Sequence, residues 1–161
     1  MFKMKKVSHT SSACSLAKSM EILGEWWTLP ILQEALLGTK KFNDFYNNLG
    51  IAKNILSVRL NKLIAEGLIE KKIIKPNSKR SYYLLTQKGL STATIIIALI
   101  QWCDKWILSP DEIPMILKDK KTNKKISNLK LQNESGDDLN IWDIITTPGP
   151  GATKAIDYRF K

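Results

Sequence analysis

Apolar residues recur at helical spacing through the first part of the chain, and the period then changes. From Ser12 to Leu23, the positions Leu16, Met20 and Leu23 share one face and predict a short amphipathic helix closed by Gly24. Residues 26–37, WWTLPILQEALL, predict a second helix ended by Gly38. Pro30 fits only if that helix begins near Leu29 or bends, because a mid-helix proline loses a hydrogen bond and costs about 3 kcal/mol. Thr39 is the expected N-cap of a third helix, KKFNDFYNNL, with Phe42 and Phe45 turned inward. Gly50 breaks the chain. Residues 52–66 then predict a fourth helix, with Ile55, Leu56, Leu60, Leu63 and Ile64 on its apolar stripe and Gly67 at its end.

Beyond Gly67 the pattern shortens. LIEKKIIK and SYYLLT are rich in β-branched and aromatic residues, and the segment PNSKR between them is turn-forming and basic, which predicts a hairpin. Thr86 is expected to cap a long helix reaching about Leu108. Ile95, Ile96, Ile97, Leu99, Ile100, Trp102 and Trp106 place apolar groups nearly all round that helix, so most of its sides need cover. The rest of the domain has little mass to supply it, which points to a second copy of the chain. After Ser109-Pro110 the texture shifts again. Alternation at Leu129 and Leu131 and at Leu139 and Ile141, around turn residues 133–138, predicts short strands in a hairpin, and PGPGA at 148–152 is a turn cluster.

Two short helices joined by a tight turn and followed by a two-stranded hairpin make a winged helix-turn-helix. The expected fold class is therefore mainly α with a β-hairpin wing (α+β), plus a small C-terminal β-rich extension. The expected divisions are a flexible N-terminus at 1–11, the winged domain at 12–108 with dimerisation helices at both ends, and the extension and tail at 109–161.

Charge sharpens this reading. The chain carries 25 Lys and Arg against 15 Asp and Glu, a net +10. Residues 1–110 hold 16 basic and 7 acidic residues, whereas 111–161 hold 9 and 8. A basic domain with a near-neutral tail points to a polyanionic partner for the first part. The fourth helix fits that partner. Leu56, Leu60 and Leu63 would bury one side, while Lys53, Asn54, Ser57, Val58 and Asn61 would face base edges in a major groove, with Arg59 and Lys62 flanking them. Asn pairs with adenine, Lys with guanine, and Val58 suits a thymine methyl. Lys40, Lys41 and Asn43 at the start of the supporting helix, and Lys79 and Arg80 at the wing tip, would hold phosphates or enter a minor groove. A solvated basic face is the plainer alternative for the helix alone. The order of elements and the lopsided charge weigh against it.

Other chemistries find little footing. Cys14 and Cys103 form neither a disulfide framework nor a metal pair, and His9 is the only histidine, so no catalytic triad or metal site is expected. There is no Gly-rich phosphate loop, so no enzyme activity and no cofactor are expected. The start lacks an apolar signal core, and ATIIIALIQW falls short of the roughly 20 residues of a membrane span, so a cytoplasmic chain with no membrane partner is expected. The tryptophans Trp26, Trp27, Trp102 and Trp106 suit core and interface packing. An aromatic pocket for a planar effector is the open alternative.

The segment from CSLAKSMEILGEWWTLPILQEALLGTKKF through YYLLTQKG to LIQWCDKW resembles the HxlR family of bacterial winged helix-turn-helix regulators. The matching positions are Cys14, Gly24, Trp27, Ile31, Leu32, Gly38, Phe42, Gly50, Ile51, Leu56, Arg59, Leu60, Leu63, Gly67, Leu68, Tyr83, Leu85, Thr86, Gly89 and Trp102. TTPGPGA resembles the end of the longer members. Pro30, Ser78 and Tyr82 depart from the usual pattern, and the extension lacks the cysteine pairs of some relatives. The resemblance implies a homodimeric regulator on an inverted-repeat double-stranded DNA operator. The dimer would be joined through the first and long helices by Leu16, Met20, Ile96, Leu99, Ile100, Trp102 and Trp106. It also implies a candidate thiol sensor at Cys14, where a packed seam residue is the alternative. A small-molecule effector is left as an open partner. A winged-helix protein-interaction module that does not bind DNA specifically is the rival reading.

Overall fold

The computed structural model describes residues 14–73 and 80–152. These fall into two compact units that divide between Ala93 and Thr94. In the first, α1 (Ser15–Leu23) ends where the Gly24 N–H donates to the Met20 carbonyl at 2.9 Å. The next helix, α2 (Thr28–Leu36), starts late enough to place Pro30 in its first turn. An N–H there would have no helical acceptor, so the proline costs no hydrogen bond. Ile31 and Leu32 of α2 are fully buried.

The expected cap at Thr39 is not formed. Lys41 occupies the N-cap of α3 (Phe42–Leu49), and the Thr39 hydroxyl instead donates to Glu34 Oε2 at 2.9 Å. Lys41 thus opens the helix as its cap, and Lys40 lies before it. They run extended beside the hairpin, where the Tyr83 N–H donates to the Lys40 carbonyl at 2.8 Å and Lys41 pairs with Tyr82. The segment adds a third lane to the wing.

Gly50 ends α3 at φ 62, a left-handed conformation that glycine adopts without strain. It turns the chain into α4 (Lys53–Ala65), which buries Leu56, Leu60 and Leu63 beside Phe45 and Ile51 in the core. Full burial of each leucine contributes roughly 1.5–3 kcal/mol. Ile55 is 39% exposed, so the apolar stripe is narrower than its spacing predicts.

Strands β1 (Ile69–Ile73) and β2 (Ser81–Leu85) pair antiparallel, from Ile69 opposite Leu85 to Ile73 opposite Ser81. Most of PNSKR lies outside the described residues, Arg80 excepted. Thr86 caps the next helix as expected, accepting from the Gly89 N–H at 3.1 Å and donating to the Gly67 carbonyl at 2.6 Å. That helix is not continuous. It splits at Ser91 into α5 (Gln87–Leu90) and α6 (Thr92–Trp106). The Ser91 and Thr92 hydroxyls donate to the Lys88 and Gly89 carbonyls at 2.8 and 2.6 Å, offering the backbone a non-helical arrangement.

The second unit holds most of α6 and the extension. Ser109 and Glu112 form a reciprocal cap on a short 3₁₀ turn, Pro110–Glu112, and the Ser109 donors hold the Glu112 carboxyl below its usual range. Gln101 of α6 clamps the segment at 127–129, donating to the Ser127 carbonyl at 3.1 Å and accepting from the Leu129 N–H at 2.8 Å. The predicted hairpin is present as β3 (Leu131–Gln132) and β4 (Asp138–Leu139), with Leu131 opposite Leu139. Ile141 lies beyond it, in a second 3₁₀ turn.

Candidate nucleic-acid interface

The burial of Leu56, Leu60 and Leu63 fixes the rotation of α4 and turns Lys53, Asn54, Ser57, Val58 and Asn61 outward, all exposed. Val58, at 60% exposure, is an apolar side chain that the core does not claim. Lys53 Nζ stands 5.0 Å from the centre of the Tyr46 ring, a cation–π contact that orients it near the start of α4. That start has Ala52 at the N-cap, no side-chain cap and no acid in the first turn. Its unpaired N–H groups and positive helix end therefore favour an anion such as phosphate. The sequence signal for this was the missing Ser, Thr or Asp before Lys53.

Arg59 and Lys62 are placed differently from the expectation that they flank the reading face. Arg59 is ion-paired with Glu25 at 2.7 Å, and Lys62 donates to the Glu21 carbonyl at 3.1 Å. Both are engaged on the α1–α2 corner, and both are half-buried. They position the helix within its own domain.

Of the other residues expected to contact phosphate, Asn43 is exposed in the first turn of α3, Lys40 and Lys41 are exposed on the extended lane beside β2, and Arg80 is exposed just before β2. Lys79 lies outside the described residues. Lys71, which the sequence did not single out, is an exposed cation on β1, 5.8 Å from the Tyr83 ring.

Cys14 is the N-cap residue of α1 and half-buried, with its carbonyl accepting from the Lys18 N–H at 3.1 Å. Of the residues expected at a dimer interface, Leu16, Met20, Leu99, Trp102 and Trp106 are exposed and Ile100 is half-buried. Ile96 is only 5% exposed, so it is covered within a single chain. Among the described residues no cluster of three His, Cys, Asp or Glu could hold a metal, and no helix is long and apolar enough to cross a membrane.

A helix with a buried leucine ridge and an exposed lysine–amide face, entered through a glycine turn and followed by a hairpin, defines the winged helix-turn-helix class. The family model described as HxlR-like helix-turn-helix matches residues 22–111, and the chain belongs to that family. It is 30% identical to the uncharacterized HTH-type transcriptional regulator Rv3095 of Mycobacterium tuberculosis over 145 residues, 90% of this chain and 92% of the relative. A crystal structure of PA1607, a candidate transcription factor, superposes with a TM-score of 0.83 at 27% identity, covering 89% of this chain and 100% of that one. PA1374 from Pseudomonas aeruginosa gives a TM-score of 0.64 at 27% identity, covering 91% and 99%. The first of these relatives is named as an HTH-type transcriptional regulator, and the other two as candidate transcription factors.

Proposed function

We propose that the chain is a sequence-specific DNA-binding transcriptional regulator that acts as a homodimer on an inverted-repeat operator. The observation that carries this is the division of α4 into a buried leucine ridge and an outward face of Lys53, Asn54, Ser57, Val58 and Asn61. Asn54 and Asn61 offer bidentate amides to adenine, Lys53 a donor to guanine, and Val58 an apolar contact for a thymine methyl. Lys40, Lys41, Asn43 and Arg80 supply phosphate contacts around that face. Leu16 and Met20 on α1, and Leu99, Trp102 and Trp106 on α6, are exposed apolar groups that a second copy would cover. A two-fold pair would set its two recognition helices about 34 Å apart, one turn of duplex. Cys14 is the site proposed for a thiol-reactive signal.

Fluorescence anisotropy with duplexes from the promoter of the chain's own gene region tests this. One duplex should bind far more tightly than scrambled DNA, with an affinity that falls steeply as salt rises. The rival, a winged-helix module that docks proteins, predicts no sequence preference and little response to salt.

A further inference from the structure

The extension's nearly balanced charge hides a separation of signs. Lys118, Lys120, Lys121, Lys124 and Lys125 all stand on one tight hairpin, and all are exposed. The acids Glu134, Asp137, Asp138 and Asp143 lie on the next hairpin and the turn after it. The lysine hairpin is firmly closed. Lys118 pairs with Lys125, the Ile126 N–H donates to the Leu117 carbonyl at 3.0 Å, and the Asp119 N–H donates to the Lys124 carbonyl at 2.9 Å. Asn123 makes the reversal at φ 55.

Asp119 is the one acid in the hairpin, and it forms no ion pair with the lysines. Its carboxylate turns back to accept from the Lys121 N–H at 2.8 Å and the Thr122 hydroxyl at 2.9 Å. Among the described residues, none of the five lysines forms an ion pair. Lys118 and Lys125 sit directly opposite each other, an arrangement of like charges that destabilises a strand pair. An anion held between them would remove that repulsion. The hairpin tip carries neither arginine nor an aromatic residue, the types enriched at protein interfaces, where lysine is depleted. Lysine ammonium groups bind phosphate oxygens as point charges.

We propose that the hairpin at 117–126 is a second DNA-contacting element, one that grips backbone phosphates without reading sequence. The proposal rests on α4 being the DNA-reading helix. The probe is the operator duplex and a scrambled duplex of equal length, titrated across salt concentrations. The proteins are the full wild-type chain, a variant with Lys120, Lys121, Lys124 and Lys125 changed to Gln, and one with the same four changed to Arg. At about 0.9 per phosphate contact, the Gln variant should lose about 2 or more from the slope of log K against log salt. It should weaken on both duplexes alike, and so keep its preference for the operator. The Arg variant should match the wild type, which excludes a folding defect. A Gln variant with the wild-type slope overturns the proposal, and leaves the hairpin for an acidic protein partner. If the wild type binds operator and Asn54→Ala loses its preference while the Gln variant changes nothing, only the hairpin assignment fails. If the wild type binds no duplex, both readings fail.

Discussion

The Arg59 guanidinium lies 2.7 Å from the Glu25 carboxylate, with the two side chains 23% and 22% exposed. With Lys62 on the Glu21 carbonyl, it ties the middle of α4 to the corner between α1 and α2. Arg59 thus sets where the helix points. Arg59→Met should lower stability by about 1–3 kcal/mol, the usual cost of removing a partly covered charged hydrogen-bond partner. Thermal denaturation would register this as a Tm several degrees lower. The salt slope of DNA binding should stay near wild type, whereas Arg80→Ala should reduce it by about 1. A slope reduced equally by both changes would mean that Arg59 also touches phosphate.

Asn54→Ala and Asn61→Ala each remove one exposed amide from α4 and disturb no buried group. Each should cost about 1–3 kcal/mol on the cognate duplex and almost nothing on a scrambled one. Competition binding reads the ratio directly. Equal losses on both duplexes would make these residues backbone contacts.

Gly89 is packed so closely that an added Cβ would lie 2.1 Å from the Leu68 carbonyl oxygen. Gly89→Ala must therefore push α5 away from the Gly67-Leu68 turn, where the Thr86 hydroxyl is bonded. The expected loss is about 1–3 kcal/mol by overpacking, seen as a lower denaturant midpoint. An unchanged midpoint would mean that this junction yields at little cost.

The elements that the sequence displayed clearly were those whose burial is periodic. The Leu56, Leu60 and Leu63 ridge fixed which face of α4 points out, and Thr86 and the glycines at 24, 50 and 67 marked real ends. The failures were competitions that spacing does not reveal. Thr39 had the composition of a cap, but its hydroxyl donates to the Glu34 carboxylate and accepts from the Asn48 side-chain amide instead. Arg59 and Lys62 read as outward cations because their acceptors, Glu25 and the Glu21 carbonyl, are more than thirty positions away in sequence. The break at Ser91 coincides with two hydroxyl-to-carbonyl bonds, from Ser91 and Thr92, that helical spacing does not reveal. The lysine hairpin was concealed by averaging charge over 111–161, which cancels it against acids on a different turn.

Cys14, at the N-cap of α1, is where a thiol-reactive signal would act under this account. Diamide or a quinone should lower operator affinity at least several-fold in the wild type and have no effect on Cys14→Ser. Equal affinity with and without reagent in the wild type would remove Cys14 from regulation.

The central claim is that two copies present two α4 faces to one duplex, and hydroxyl-radical footprinting on the promoter of the chain's own gene region tests it most directly. The account predicts two protected half-sites, related by two-fold symmetry and centred about one helical turn apart. Both should fade together when Asn54 and Asn61 are changed to Ala. A single unpaired protected stretch, or a footprint that those changes leave intact, would contradict it.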